Sequence, residues 1–142
     1  MIEKRIYAVV AETVDSPIMG TVQQVLGRMS AQAGHALSRM RMHRLIDMIV
    51  RRKKKDAMTQ DEMLAVADEG ITTIHLSCRD SRELRHVSNL LHKAHIKHYA
   101  FKDSNPEVYG AGEIITAIAT VPVTKEQVVG ILDYLPLFLA PK

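Results

Sequence analysis

Residues 4–11, from Lys4 through Ile6, Tyr7, Val9 and Val10 to Ala11, are apolar at consecutive rather than alternate positions. That pattern predicts a strand buried on both faces inside an α/β sheet. Asp15, Ser16, Pro17 and Gly20 follow, turn chemistry that ends the strand and predicts a long first loop over residues 12–27. From Gly27 the period becomes helical: Met29, Ala33, Ala36 and Met40, then Leu45, Met48 and Ile49, fall near one side, with arginines on the others. A helix from 28 to about 53 is roughly 39 Å long at 1.5 Å per residue, enough to pass the end of a small sheet. Its C-terminal run, Arg51, Arg52, Lys53, Lys54 and Lys55, is then exposed, where cations also suit the helix dipole.

Thr59 and Glu62 form a capping-box pattern ahead of Met63, Leu64 and Val66, and Gly70 closes that short acidic helix. Residues 71–78 are rich in β-branched side chains and predict a second strand. Asp80 and Glu83 then cap a helix with Leu84, Val87, Leu91 and Ala94 on one face. Residues 97–101 give a third strand, 102–112 a polar loop, and 114–121 a fourth strand that is apolar almost throughout. Thr124 and Gln127 cap a last helix through Tyr134, and the apolar tail from Leu135 to Leu139 suits either core packing or a subunit contact. Strands separated by helices pair in parallel, and a short connection permits one antiparallel neighbour, so the element order predicts an α/β layered domain around a small mixed sheet.

Composition narrows the picture. The 142 residues, 46% hydrophobic, suit one compact domain over 1–142 with its own core. No stretch approaches the roughly 20 apolar residues that span a bilayer. The beginning, Met1 to Arg5, carries no signal-peptide pattern, so a cytoplasmic location is expected. Cys78 is the only cysteine, which excludes intramolecular disulfides and cysteine-rich zinc sites and reads as a core thiol. Charge is segregated: residues 28–55 hold nine of the nineteen Lys and Arg and a single acid, Asp47, so this segment carries +8 and the remainder −5. Such a basic segment points to a polyanion as partner. With no Trp and few Tyr or Phe, contact with RNA is expected through phosphates and shape. The three imidazoles of His92, His95 and His98 are not expected to converge on a metal, because the helix should end near Ala94.

The helix opens Gly27-Arg28-Met29-Ser30-Ala31-Gln32-Ala33-Gly34-His35-Ala36. This segment resembles the G-K-x-A-A-Q-x-x-H-A motif of the archaeal and eukaryotic (type II) peptidyl-tRNA hydrolases. Asp103 stands at the aspartate that opens that family's D-A-G-R-T-Q-x-x-P-G-T loop, and Gly112, an apolar strand and a Thr-x-x-x-Val segment follow. The resemblance implies a three-layer α/β/α sandwich around a four-stranded mixed sheet. The implied activity is hydrolysis of the ester between a peptide and the 3′ end of tRNA by an activated water. The implied partner is tRNA and no cofactor is required; a homodimer is a further possibility.

On that resemblance Gln32 and His35 match the motif, Arg28 replaces the catalytic lysine, and Asp103 is the loop aspartate. Arg28 can hold a phosphate or stabilise an oxyanion but stays protonated, so it is no base. The expected mechanism has His35 and Asp103 handle the water, Asp103 orienting the imidazole, with Arg28 supplying positive charge. The alternative for His35 is a ring packed under the sheet and satisfied by a backbone carbonyl; for Asp103, a turn-capping role. Gly34 implies a close approach of strand, loop or substrate, or more simply close helix packing. Ser104, Asn105, Pro106 and Glu107 replace A-G-R-T, and Gly112 with Glu113 replaces the last G-T, so two hydroxyls become carboxylates. A shift of alignment offers Ser104 or Thr116 instead. Substrate contacts are thus expected from Gln32, Ser104, Glu107, Glu113 and Thr116 near the ester, and from Arg51, Arg52 and Lys53 on tRNA phosphates. These departures leave two functions open: an esterase, or a family member without catalysis that serves as an RNA-binding or protein-interaction module.

Overall fold

A computed structural model describes residues 3–53, 71–110 and 112–138. Strand β1 (Lys4–Ser16) is the centre of a mixed sheet. It pairs in parallel with β3 (Thr72–Asp80), and antiparallel with β5 (Ile114–Thr120), with the short β2 (Gly20–Gln23) and with the two-residue β6 (Val123–Thr124). Strand β4 (His98–Asp103) pairs antiparallel with β5 and stands at the far edge. The sheet therefore has six strands where four were expected, because β2 and β6 add short segments to β1.

The consecutive apolar residues of β1 are explained by burial on both sides. Ile6, Ala8 and Val10 pack with Met29, Ala33, Ala36, Leu37 and Met40 of helix α1 (Leu26–Lys53). Tyr7, Val9 and Ala11 pack with Leu84, Val87 and Leu91 of helix α2 (Ser81–Lys93) and with Leu132. Asp80 caps α2 by accepting from the Glu83 amide at 2.8 Å, while the Glu83 carboxylate accepts from the Arg79 amide at 3.0 Å. Cys78 belongs to this core, and burial, with Glu83 and Asp80 nearby, pushes its thiol up to about 12, as the core reading expects.

Several expectations are corrected. Residues 12–27 are not a long loop: β1 continues to Ser16 and turns at Gly20 (φ +75°) into β2, because Val14 is buried and the turn residues occupy only the hairpin tip. Ser16 fixes that tip, its hydroxyl accepting from the amides of Ile18 (3.1 Å) and Met19 (2.8 Å) and donating to the Val108 carbonyl. The capping pair Thr124 and Gln127 forms reciprocally, yet it starts only a 3-10 turn (Glu126–Val128), since Val129 is already extended (ψ 132°) and Gly130 follows at φ +79° in a turn closed by the Ile131 amide on the Val128 carbonyl. Ala94 is the C-cap of α2 and exposed. The polar loop 102–112 contains the one-turn helix α3 (Pro106–Tyr109). The tail is divided: Leu135 is core, whereas Leu137 bridges to Leu76 and covers the outer edge of β3. On α1 the buried face ends at Met40, and Leu45 and Ile49 are 44% and 48% exposed, because the helix has passed the sheet.

The acidic helix expected over 59–70, with Lys54 and Lys55, lies outside the described residues. Helix α1 runs through Arg51, Arg52 and Lys53, whose side chains also lie outside them.

Gly34 has nothing within 4 Å of the place a Cβ would take, so no close approach accounts for it. Gly34→Ala should therefore stabilise the protein by roughly 0.5–1 kcal/mol through helix propensity. Urea unfolding checks this; a lower midpoint would mean that the glycine meets a neighbour after all.

Candidate active site at the start of helix α1

Asp103 ends β4 and faces the first turns of α1. One of its oxygens, Oδ2, is approached from three directions. Arg28 Nε lies 3.8 Å away as an ion pair, Gln32 Nε2 donates at 3.3 Å, and the Tyr109 hydroxyl donates at 3.4 Å. Among the described residues nothing donates to Oδ1. The ion pair is partly sheltered, with 35% of the Arg28 and 17% of the Asp103 side chain exposed. Arg28 and Gln32 are four residues apart, one turn of helix, which places both over the same carboxylate.

Gln32 is held from behind. Its Nε2 also donates to Gln24 Oε1 at 2.7 Å, and Gln24 Nε2 donates to the Ala11 carbonyl at 2.6 Å. The chain of bonds runs from the backbone of β1 to Asp103. Among the described residues, Gln32 Oε1 is buried without a partner, and so is the hydroxyl of Thr116 on β5. Thr116 sits where the β4–β5 register shifts, with Phe101 opposite Ala117 and Lys102 opposite Ile115, so it is the extra residue of a bulge.

The structure thus brings Arg28, Gln32 and Asp103 together. Asp103 does not cap a turn; Asn105 does, accepting from the Glu107 amide at 3.1 Å. The expected bond between His35 and Asp103 is absent. His35 is exposed and stacks on Phe101, with centroids 4.8 Å apart and planes at 25°. The reason is register: Phe101 precedes Asp103 by two residues on β4, matching the rise from Gln32 to His35 on α1. Nor is His35 packed under the sheet. Ser104 and Glu107 are exposed, and Glu113 lies 3.9 Å from Lys102 rather than beside Asp103. His98 has both ring nitrogens engaged, with the Ile96 carbonyl (2.9 Å) and the Ser88 hydroxyl (2.7 Å).

Tyr109 and Gln24 are site residues that the sequence reading passed over. Tyr109 is placed by a small cluster with Val14 and Val108 under the β1–β2 hairpin. The available signal was Asn105-Pro106, an N-cap followed by proline at the first helical position, which predicts the turn that carries Tyr109. Burial, then the Asp103 charge, push the Tyr109 phenol up to about 12. It therefore remains a donor throughout the neutral range.

Tyr109→Phe should lower kcat/KM for the site's reaction about tenfold, the lower end of a lost donor to a charged group. It should also change alkaline stability. The unfolded phenol loses its proton near 10 and the folded one near 12, so its stabilising contribution is complete below pH 10 and lost as pH rises through 12. Urea midpoints between those pH values should fall less steeply in the variant; identical slopes would place the hydroxyl in solvent.

Comparison with curated proteins gives no match. Comparison with protein families matches the one described as peptidyl-tRNA hydrolase PTH2 over residues 18–138, a span that includes Arg28, Gln32, Asp103 and Tyr109. The chain belongs to the PTH2 peptidyl-tRNA hydrolase family.

Proposed function

We propose that the protein is a peptidyl-tRNA hydrolase whose reacting centre is Asp103 with Arg28 and Gln32. The observation that carries this reading is the division of labour on the Asp103 carboxylate. Oδ2 is held by Arg28, Gln32 and Tyr109, while Oδ1 is left to accept from a water. At neutral pH an aspartate is ordinarily ionised and able to take a proton from that water as its oxygen attacks the ester carbonyl carbon. The carbonyl oxygen becomes negative, and the Arg28 guanidinium, 3.8 Å from the carboxylate, supplies the opposing charge. Collapse breaks the bond to the ribose 3′ oxygen, which receives the proton from Asp103. The products are a tRNA with a free 3′ hydroxyl and a peptide acid, which gives its remaining proton to solvent and leaves as the carboxylate.

Gln32 Oε1 and Thr116 Oγ1, buried without partners, suit donors of the incoming substrate or its water. His35 flanks the centre without touching Asp103, so its part is with substrate rather than with the carboxylate. Ser104, Glu107 and Glu113 line the approach. The three-layer α/β/α arrangement of the family, in one domain over 1–142, is supported by the packing of α1 and α2 against alternate residues of β1. No described helix is long and apolar enough to cross a membrane, and a cytoplasmic place in translation is proposed as the setting that suits a peptidyl-tRNA hydrolase.

Release of tRNA from purified peptidyl-tRNA tests the proposal. Turnover supports it. Binding without turnover would favour the module without catalysis, a reading that the permanently charged Arg28 in the lysine position favours.

The basic end of α1 is proposed as a contact for distant tRNA phosphates. Each lost contact lowers the salt slope of log K by roughly 0.7–0.9. Replacing Arg51, Arg52 and Lys53 by Ser should weaken tRNA binding and flatten its salt dependence. A salt titration with the same slope as the parent would make this run a solvated helix end.

A further inference from the structure

The two edges of the sheet differ. The edge at β3 is bridged by Leu137, whereas among the described residues β4 pairs only with β5. Beside that open edge runs one stripe of α1. His35 stacks on Phe101, Arg39 reaches the Ala100 carbonyl at 3.4 Å, and His43 stacks on Tyr99 with centroids 4.5 Å apart and planes at 10°. The three α1 residues are spaced by four and are exposed. Two of the chain's six Tyr and Phe are therefore concentrated on one line with two imidazoles and a guanidinium. The line begins beside Asp103. It ends at a shallow pocket bordered by His95, Lys97 and Tyr99.

An exposed imidazole backed by a second ring is a flat surface already held in place, so a stacking partner loses little by ordering it. Every nucleobase offers a π-face to such a platform, and a cation between two platforms meets the phosphate joining two bases. His35 and His43 are about 12 Å apart along the helix axis, the reach of about two nucleotides. A protein strand added to the β4 edge would need that edge's carbonyls, but Arg39 already occupies the Ala100 carbonyl.

We propose that the α1–β4 edge is a track for single-stranded RNA, on which the unpaired 3′ end of tRNA lies with bases over His35–Phe101 and His43–Tyr99 and a phosphate at Arg39, leading the ester to Asp103. The inference rests on the proposed hydrolase reading for its direction but not for the surface itself.

Two measurements on the full chain test it. The first is affinity for the labelled oligoribonucleotide CCA, without a peptide, for the parent, His43→Ala and His43→Phe. His43 is exposed and distant from Asp103, and thermal unfolding controls for folding. His43→Ala should bind about tenfold more weakly, as expected for one lost stacking base, and His43→Phe should restore binding. The second is the gain in kcat/KM on lengthening a peptidyl-adenosine ester to peptidyl-CCA. That gain should shrink about tenfold in His43→Ala. Equal CCA affinity in all three proteins overturns the track even if the enzyme is active. An enzyme without turnover whose CCA affinity still follows the ring keeps the track and removes the hydrolase reading. Capture of an extended peptide in place of CCA also overturns it.

Discussion

Asp103→Asn should reduce kcat/KM for peptidyl-tRNA about a thousandfold, within the range of a lost general base, with tRNA affinity and folding retained. The amide keeps the carboxylate's shape. Its oxygen can face the donors now meeting Oδ2, namely Gln32 Nε2 at 3.3 Å and the Tyr109 hydroxyl at 3.4 Å. Its NH2 then takes the place of Oδ1 and can only donate, so the water loses its acceptor. His35→Ala distinguishes the competing arrangement. If the imidazole were the base, its removal would match Asp103→Asn. Because His35 stacks on Phe101 and has no bond to Asp103, its loss should act mainly on KM. Equal kcat losses in the two variants would restore His35 to the proton-handling role.

How far the sequence leads differs from element to element. Strand β1 was legible from apolar residues on both faces, and α2 from a cap that forms at the expected residues. Local signals mark where a segment starts better than how far it goes. Thr124 and Gln127 make their reciprocal bonds whether a helix or a single 3-10 turn follows, and the extended Val129 with the left-handed Gly130 decides the length. Pro17 and Gly20 announce a turn, but a turn can interrupt a strand or join two, and burial of Val14 on a hairpin is a tertiary matter.

The same distinction applies to the site. Arg28, Gln32 and Asp103 were readable as positions of a family motif, but the motif reading paired Asp103 with His35 rather than with Arg28 and Gln32. The pairing of His35 was not readable, because the relative slide of α1 along β4 sets it, and Phe101 lies two positions before Asp103 on β4. Tyr109 depends on a still longer chain of causes. Asn105 must cap a single turn, and the hairpin tip must be tied to Val108 by Ser16, before the phenol meets Asp103. Composition counts rings without placing them, so it does not show that Tyr99 and Phe101 share one edge with His43 and His35.

Arg28→Ala should lower kcat/KM by roughly a hundredfold or more, the scale of one lost oxyanion donor. Arg28→Lys should retain activity within a few-fold. The two variants separate charge from geometry. A guanidinium is planar and permanently protonated, whereas lysine is a compact charge on a flexible stem. If the position supplies positive charge to a developing oxyanion, either side chain serves and alanine does not. If it supplies a base, the natural arginine cannot act, and Arg28→Lys should raise the rate well above the parent. Folding should survive both changes, because Gln32 and Tyr109 still hold Oδ2 and the ion pair is partly exposed to solvent, where its net contribution is about 1 kcal/mol or less. The decisive readings are kcat and KM measured separately on peptidyl-tRNA, with urea midpoints alongside. A fall in kcat at constant KM places the guanidinium at the transition state. A rise in KM alone makes it a phosphate anchor, and an unchanged kcat/KM in Arg28→Ala removes it from the mechanism.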